Sequence, residues 1–342
     1  MCSHSASDAG AGLCCVKGLI ARADASALSL NTRKTYETGW NSWARWAASN
    51  GYRVSKPTVE RLRDWLACLH LEGKKPSTLR TYLAAVAHRL RGRRGPNPAR
   101  HPRVSLLLAG LARYAAERGV ATRQAQGLRW ERILLIEAAA PASRRNQPGG
   151  RLETPQQARK RADTDIAMAA VGHNGALRCS ELLALTWGAV DFSEGPGLAT
   201  IWIGRSKTDQ NGKGAAVPIS EYAAQALARL RPEDFDPDAR IFDFSPSTAR
   251  RRLKAAAKAA GIDPAGISTH SLRVGMAQDL AASGTGTIGL MLAGRWDTTE
   301  TAAQYARRLQ AQHTPAAQYL KTQLAVTTGQ SEPGETRRPQ AA

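Results

Sequence analysis

The sequence is poor in cysteine, in acidic residues and in long apolar runs. Its five cysteines are odd in number and show no Cys-x-x-Cys spacing, which argues against a disulfide framework and a zinc module. No apolar run approaches the ~20 residues of a membrane-spanning helix, and no basic segment followed by an apolar one opens the chain. These absences predict a protein of the reducing cytoplasm without a membrane partner.

Common catalytic motifs are also missing. No carboxylate cluster suits a two-metal nuclease, and no Gly-x-x-x-x-Gly-Lys-[Ser/Thr] loop is present to bind nucleotide phosphates. Asp234, Asp236 and Asp238 resemble the start of a calcium loop, but Ala239 stands where that loop needs Gly and Ser245 where it needs Glu. We therefore interpret the three aspartates as a solvated acidic turn.

Positive charge is what the chain has in excess. Lysine and arginine number 48 against 28 aspartate and glutamate residues, which gives a net charge of +20. The basic residues recur in both halves and do not form a single terminal tail, so a long contact surface for a polyanion is expected. Nucleic acid is the leading candidate for that polyanion.

The length and the apolar pattern predict two domains. At 342 residues the chain exceeds a typical domain of about 150 residues. Apolar residues at steps of three and four predict four amphipathic helices in the first half, whose tryptophans belong to the core because they keep the helical period. The predicted segments are a flexible N-terminal arm at 1–24, a helical domain at 25–123, a linker at 124–128, a second domain at 129–323 and a disordered tail at 324–342.

The second domain mixes helices with a β-hairpin. A helix at about 129–140 is followed by a segment at 141–162 that is rich in Arg, Gln, Pro and Gly, which predicts a long loop. Strand-like runs at 198–203 and 215–219 flank a long basic hairpin tip, and the helical period returns from Ser247 onward. The predicted fold class is mainly α with a small antiparallel β-sheet.

The third predicted helix carries polar and basic residues away from its apolar stripe. We interpret this face as a DNA-facing or phosphate-facing surface, with an ordinary solvated helix face as the alternative. Arg205 at the hairpin tip is a further candidate. The candidates on and around the helix are Lys74, Lys75, Arg80, Thr81, His88, Arg91, Arg93 and Arg94.

An ordered set of residues in the second half suits phosphoryl transfer to a tyrosine. That reaction needs a hydroxyl nucleophile, cations for the charge on the phosphate oxygens, and an acid for the leaving 5′ oxygen. A planar guanidinium can bind two phosphate oxygens at once and stays charged. The set is Arg178 in Gly-Ala-Leu-Arg-Cys-Ser-Glu, Lys207 in Gly-Arg-Ser-Lys-Thr-Asp, His270 and Arg273 in Thr-His-Ser-Leu-Arg, Trp296, and Tyr305.

Local spacing adds two structural expectations. Arg178 is expected in a helix in which Glu181, one turn on, holds the guanidinium in place. His270 is expected to open a second helix that Ser268 or Thr269 caps, so that the amide-rich end points toward an anion.

The ordered set resembles that of the tyrosine recombinases, the phage integrase family. In that family an Arg with Glu or Asp at +3, a hairpin Lys, His-x-x-Arg, a His or Trp, and a Tyr nine residues later occur in this order. The step from Trp296 to Tyr305 is nine residues, and the Ala-Gly-Arg-Trp context is closest to the Cre-like branch. The resemblance covers about residues 25–323 and implies a two-domain, C-shaped DNA clamp with a helical core-binding domain before the catalytic domain.

The resemblance also implies roles for the phosphate-binding residues and the nucleophile. Tyr305 would attack the scissile phosphate, forming a 3′-phosphotyrosyl link and freeing a 5′ hydroxyl. Arg178 and Arg273 would bind the phosphate, with Glu181 supporting Arg178. No metal or nucleotide cofactor is implied, because the bond energy is retained in the covalent link.

The resemblance implies roles for three further residues. Lys207 would be the general acid, with Lys213 and Arg205 as rivals because hairpin tips are hard to register. His270 would assist proton transfer at the nucleophile, and Trp296 would donate its indole N–H to a phosphate oxygen. An alignment by Gly294 would instead put Arg295 in the place of Trp296.

The expected partners are double-stranded DNA at a specific recombination site and three further copies of the chain, as a homotetramer on two DNA sites. The expected location is accordingly the nucleoid within the cytoplasm. A segment at 315–323 is a candidate helix for docking on a neighbouring copy or on its own domain. Two alternatives stay open: a catalytically inactive DNA-binding accessory protein, and an enzyme that relaxes DNA as type IB topoisomerases do.

Overall fold

A computed structural model describes residues 16, 18–19, 23, 27–119, 125–145, 149–193, 198–204, 214–306, 316–317, 319–320 and 322–323. The chain divides into two compact units, Met1–Thr122 and Arg123–Ala342. The described parts are mostly helical, with one three-stranded antiparallel sheet, so the predicted fold class is confirmed. Among these residues, no helix combines the length and the apolar character that crossing a membrane requires.

From residue 27 to residue 119, the first unit is described as four helices packed around two tryptophans. Trp43 and Trp65 are fully buried, and their rings meet edge to face with 5.6 Å between centroids. The Trp43 indole donates a hydrogen bond to the carbonyl of Val54 at 3.1 Å, so its polar edge is satisfied within the core. The helices are α1 (Leu30–Ser49), α2 (Val59–Leu71), α3 (Pro76–Arg89) and α4 (Pro102–Glu117), with a 3₁₀ turn at Pro98–Arg100.

Helix boundaries in this unit follow local signals in the sequence. The Ser29 hydroxyl caps α1 by accepting a hydrogen bond from the Thr32 amide, and Gly51, in a left-handed conformation (φ 71°), follows its end. The Thr58 side chain caps α2 in the same way. Proline occupies the first turn of α3 and α4, where its missing N–H costs nothing.

The second unit surrounds a small sheet with helices. The strands β1 (Val190–Asp191), β2 (Leu198–Ile203) and β3 (Ala215–Ser220) pair antiparallel in that order, with Ile201 opposite both Val190 and Val217. The helices are α5 (Trp130–Ala139), α6 (Pro155–Asn174), α7 (Cys179–Leu182), α8 (Glu221–Ala228), α9 (Pro246–Ala259), α10 (His270–Ala282), α11 (Thr287–Gly294) and α12 (Thr299–Ala306).

The predicted loop at 141–162 is wrong for its last eight residues, which form the start of α6. The Thr154 hydroxyl accepts the Gln157 amide at 3.3 Å, and the Gln157 side chain accepts the Thr154 amide at 2.9 Å, which is a capping box. Pro155 occupies the first helical turn. Because the buried positions here are Ala158 and Ala162, the helix shows no pattern of large apolar residues.

Asp279 on α10 ties that helix to α5 and α6. Its carboxylate accepts hydrogen bonds from the Arg129 guanidinium at 2.6 Å, from the Trp130 amide at 2.7 Å and from His173 Nε2 at 2.9 Å. Residues 126 and 128, in the predicted linker, also donate backbone hydrogen bonds to residues 266 and 271. The helix that carries His270 and Arg273 is therefore held from two sides.

Candidate active site

Arg178 lies just before helix α7 and not within it, so the expected helical position is wrong. Its extended backbone makes it the residue that precedes the first turn, and Glu181 is the third residue of that turn. The Glu181 carboxylate accepts the Arg178 amide at 2.9 Å through Oε2 and the Arg178 guanidinium at 2.6 Å through Oε1. The carboxylate therefore anchors both the backbone and the side chain of Arg178.

Arg273 is buried at the centre of the site. Its side chain is 1% exposed, and its guanidinium donates to the carbonyls of Ala176, at 2.6 Å, and of Gly294. The guanidinium carbon lies 4.7 Å from the centroid of the Trp296 ring, within cation–π range. These contacts join the turn after α6 to the end of α11.

The charges of the site shift several pKa values. Burial, followed by the positive charges of Arg178 and Arg295, lowers the pKa of Arg273 to about 10, so the group remains charged at neutral pH. Burial alone would raise the pKa of Glu181, but hydrogen bonds from Arg178 and the charges of Arg295 and Arg178 outweigh it and lower that pKa. Glu181 is therefore a carboxylate shared by two cations.

His270 opens helix α10, but the expected side-chain cap is absent. Thr269 has helical backbone angles and makes no capping hydrogen bond, whereas the Ser268 amide donates to the Ser271 hydroxyl at 3.0 Å. Burial, and then the charges of Arg273 and of Arg178, lower the pKa of His270. A neutral imidazole, able to accept a proton, is the result at neutral pH.

Tyr305 on α12 meets both His270 and Trp296. Its hydroxyl lies 3.2 Å from His270 Nε2, and its ring stacks on the Trp296 ring with 4.6 Å between centroids. The Trp296 ring also lies 4.7 Å from the guanidinium carbon of Arg273, so the phenol, the indole and this guanidinium belong to one cluster. The structure thus brings together the late tyrosine, the histidine and the arginines.

The Trp296 indole N–H is buried and has no hydrogen-bond partner among the residues that the structure describes. A buried donor without a partner is costly, so such groups mark places where a ligand or water is expected. A Cβ at position 294 would lie 2.0 Å from the Trp296 ring, so only glycine at that position lets the indole sit there. Trp296, and not Arg295, is the residue packed against Tyr305.

Arg295 is the residue of the site whose role the sequence did not reveal. It has a left-handed backbone (φ 52°), and its guanidinium donates to Glu181 Oε2 at 3.0 Å and to the Gly175 carbonyl at 2.9 Å. The other non-glycine residue with positive φ in the described parts, Ala176, also belongs to this site. Neither position carries glycine, asparagine or aspartate, the residues that favour the left-handed region, so the sequence holds no local signal for this backbone.

Lys207 and its rivals Lys213 and Arg205 lie outside the described residues, between β2 and β3. The groups that the structure does bring together form a compact set: three buried or half-buried guanidinium groups, an unpartnered indole donor, and a phenol beside a neutral imidazole. That set can hold an oxyanion and remove a proton from the phenol. In the described parts of the chain, no cluster of His, Cys, Asp and Glu has the make-up of a metal site.

The proposed DNA-facing residues of the first unit differ in exposure. Thr81 and His88 are half-buried: the Thr81 hydroxyl donates to the Ser77 carbonyl at 3.0 Å, and the His88 ring packs on Tyr36 with 5.2 Å between centroids. Arg93 donates a hydrogen bond to the Ser55 carbonyl. The remaining candidates, Lys74, Lys75, Arg80, Arg91, Arg93 and Arg94, are exposed. A basic surface is therefore present along and around α3.

Comparison with known proteins points to one family. The model for the phage integrase family matches residues 151–312, and that for the N-terminal SAM-like domain of phage integrases matches residues 23–90. The recombinase Cre of Escherichia phage P1 is 25% identical over 313 residues, which cover 84% of this chain and 86% of Cre.

Solved structures share the fold. The Tn1549 transposon integrase in complex with transposon right end DNA has a TM-score of 0.56 at 15% identity, covering 87% of this chain and 95% of that one. XerH site-specific recombinase bound to a palindromic difH substrate has a TM-score of 0.54 at 14% identity, covering 86% and 79%.

Proposed function

Because the chain belongs to the phage integrase family, we propose that it is a site-specific DNA recombinase that cuts and rejoins duplex DNA through a 3′-phosphotyrosyl intermediate. The observation that carries the proposal is the position of the Tyr305 hydroxyl, 3.2 Å from the neutral His270 imidazole and beside the arginine cluster. A phenol has a reference pKa of about 10, so it needs such neighbours to act as a nucleophile.

Cleavage begins with proton transfer from Tyr305. His270 Nε2 accepts the phenolic proton while Tyr305 Oη attacks phosphorus and the bond to the 5′ oxygen breaks. Arg178 and Arg273 bind the non-bridging oxygens, whose charge grows in the transition state. The Trp296 N–H, which lacks a partner in the described structure, donates to one of these oxygens.

Lys207 protonates the departing 5′ oxygen, an assignment that rests on its place in the ordered motif, between β2 and β3 in the sequence. The freed 5′ hydroxyl of a partner strand then attacks the phosphotyrosyl link and releases Tyr305. One phosphoester bond is exchanged for another at each step, so the reaction needs no nucleotide to supply energy.

The partner is double-stranded DNA at a specific site, and the assembly is a homotetramer on two such sites, located at the nucleoid. The net charge of +20 and the exposed basic residues around α3 support a DNA partner. The fold relatives point the same way, because XerH is described as bound to its difH substrate and the Tn1549 integrase as bound to transposon end DNA.

A suicide substrate tests the proposal. Nicked duplexes built from the DNA that flanks the gene should form a covalent adduct with the protein, visible as a shifted band on a denaturing gel. The adduct should vanish in Tyr305→Phe and persist in Tyr319→Phe, a matched control at an exposed tyrosine. An undiminished adduct in Tyr305→Phe would disprove the nucleophile assignment.

Two further readouts separate the proposal from its alternatives. Recombinant products from two sites indicate strand exchange, whereas relaxation of a supercoiled plasmid with a single site and no recombinants indicates topoisomerase-like activity. Site-specific DNA binding without any adduct indicates an accessory protein.

A further inference from the structure

Three guanidinium groups and one carboxylate meet beneath the proposed phosphate site. Arg178, Arg273 and Arg295 are the cations, and Glu181, whose side chain is 2% exposed, is the carboxylate. Arg178 and Arg273 are accounted for by phosphate binding. Arg295 stands outside the ordered motif, and its guanidinium is engaged by Glu181 and by the carbonyls of residues 175 and 176.

Arg295 contacts Arg178 in two ways. Its guanidinium Nη2 donates to Glu181 Oε2 at 3.0 Å, while Glu181 Oε1 accepts from Arg178 at 2.6 Å, so one carboxylate bridges the two side chains. The Arg295 carbonyl also accepts a hydrogen bond from Arg178 Nη2 at 3.4 Å. A change at position 295 would therefore alter both the place and the electrostatic surroundings of Arg178.

The charge balance explains why a second cation is useful on Glu181. A buried carboxylate bound to Arg178 alone would cancel the positive charge that Arg178 offers to a phosphate. With Arg295 on the other oxygen, the three arginines and Glu181 together carry a net charge of +2. The charge of a phosphate diester also grows, from one to about two, when an oxyanion adds to it.

The backbone conformation of Arg295 indicates a functional role for this residue. Its φ of 52° lies in the left-handed region, which glycine adopts freely and which is strained for a residue with a Cβ. The guanidinium holds this turn through the carbonyls of Gly175, at 2.9 Å, and of Ala176, at 3.3 Å. Backbone strain of this kind is concentrated at functional sites.

We propose that Arg295 is a positioning residue for DNA cleavage, which acts through Glu181 to place Arg178 and to keep its positive charge available to the phosphate. This inference rests on the proposed recombinase function. Arg295 itself is not assigned a contact with DNA.

Arg295→Gly is the sharpest test, because it removes the guanidinium and relieves the backbone at the same time. The variant should keep the wild-type fold but unfold at a lower temperature, because Glu181 and two backbone carbonyls lose a hydrogen-bond donor. It should bind the DNA site with unchanged Kd. Single-turnover adduct formation should slow by roughly tenfold to a hundredfold, as expected when a catalytic group is slightly misplaced. Arg295→Lys and added guanidinium ions should each restore part of the rate.

Two controls separate this role from a general loss of charge. Arg231→Gln removes one exposed positive charge of the same unit from a side chain stacked on Phe235, and should keep the wild-type rate. Adding Glu181→Gln to Arg295→Gly should slow cleavage by less than the product of the two single effects, because the charge that Arg295 balances is gone.

Each outcome decides the inference. A wild-type rate in Arg295→Gly, an equal loss in Arg231→Gln, or no rescue by lysine and by guanidinium would overturn it. Arg295→Gln repeats the rate measurement if the glycine variant loses its fold. If the wild-type protein forms no Tyr305-dependent adduct, the proposed function fails instead.

Discussion

Gly275 lies where α10 crosses the backbone that leads into α5, two residues after Arg273. A Cβ at position 275 would stand 1.8 Å from the Leu128 carbonyl oxygen and 2.9 Å from the Arg129 amide nitrogen. Both atoms belong to the backbone and cannot turn aside as a side chain would. Gly275→Ala therefore requires the helix and the 128–129 segment to separate by roughly 1.5 Å, since ordinary contact begins near 3.4 Å.

The cost of this separation can be estimated from the contacts it strains. Overpacking of a tight interface costs about 1–3 kcal/mol. The hydrogen bonds from the Leu128 amide to the Ser271 carbonyl, at 2.8 Å, and from the Trp130 amide to Asp279, at 2.7 Å, contribute about 1 kcal/mol each. We expect the free energy of unfolding of the second unit to fall by about 3–5 kcal/mol.

Thermal unfolding followed by calorimetry measures this loss. For a domain of this size, 1 kcal/mol corresponds to about 2–4 °C in Tm, so the transition of the second unit should fall by about 6–20 °C. Adduct formation should slow as well, because α10 carries His270 and Arg273.

Gly110→Ala is the control for the glycine substitution itself. It lies inside α4, where a Cβ would meet no atom within 4 Å, and should raise stability by about 0.5–1 kcal/mol. If Gly275→Ala unfolded within about 1 °C of wild type and cleaved DNA at the wild-type rate, the argument from close backbone approach would be refuted.

Three further predictions concern Trp296 and His270. Trp296→Phe keeps an aromatic ring against Tyr305 but removes the indole N–H. Single-turnover adduct formation should therefore slow by a factor of about 10²–10³, with little change in Tm. An unchanged rate would show that the N–H is not a donor to the phosphate. The lowered pKa of His270 predicts that cleavage is lost as pH falls through a midpoint below the usual value of 6.5, and a midpoint above 6.5 would contradict it. The same shift makes the free energy of unfolding depend on pH, because the unfolded state binds the proton of His270 more readily than the folded state. The contribution of His270 to stability is present above pH 6.5 and is lost as pH falls through the lower folded-state pKa. Chemical denaturation at several pH values measures this loss.

Several helices and strands could be predicted from the local sequence, because their signals span only a few residues. The apolar steps that include Trp43 and Leu66 predicted α1 and α2, and the strand-like run at 198–203 predicted β2. The sequence did not predict the start of α6, because the buried face of this helix consists of alanines among arginines and glutamines. The two-residue strand at Val190–Asp191 is too short to leave a pattern.

The functional groups and their order could be predicted from the amino-acid order alone: two arginines, a histidine, a tryptophan and a tyrosine stand at intervals typical of one family. Three facts required the folded chain. Arg295 shares Glu181, 114 positions away, with Arg178, and Arg178 itself precedes a helix. The Trp296 N–H has no partner in the described parts. The physical reason is one of range. Helical and strand periods report on neighbours a few residues away, whereas the position of a guanidinium depends on how distant helices pack and which buried polar groups must be satisfied.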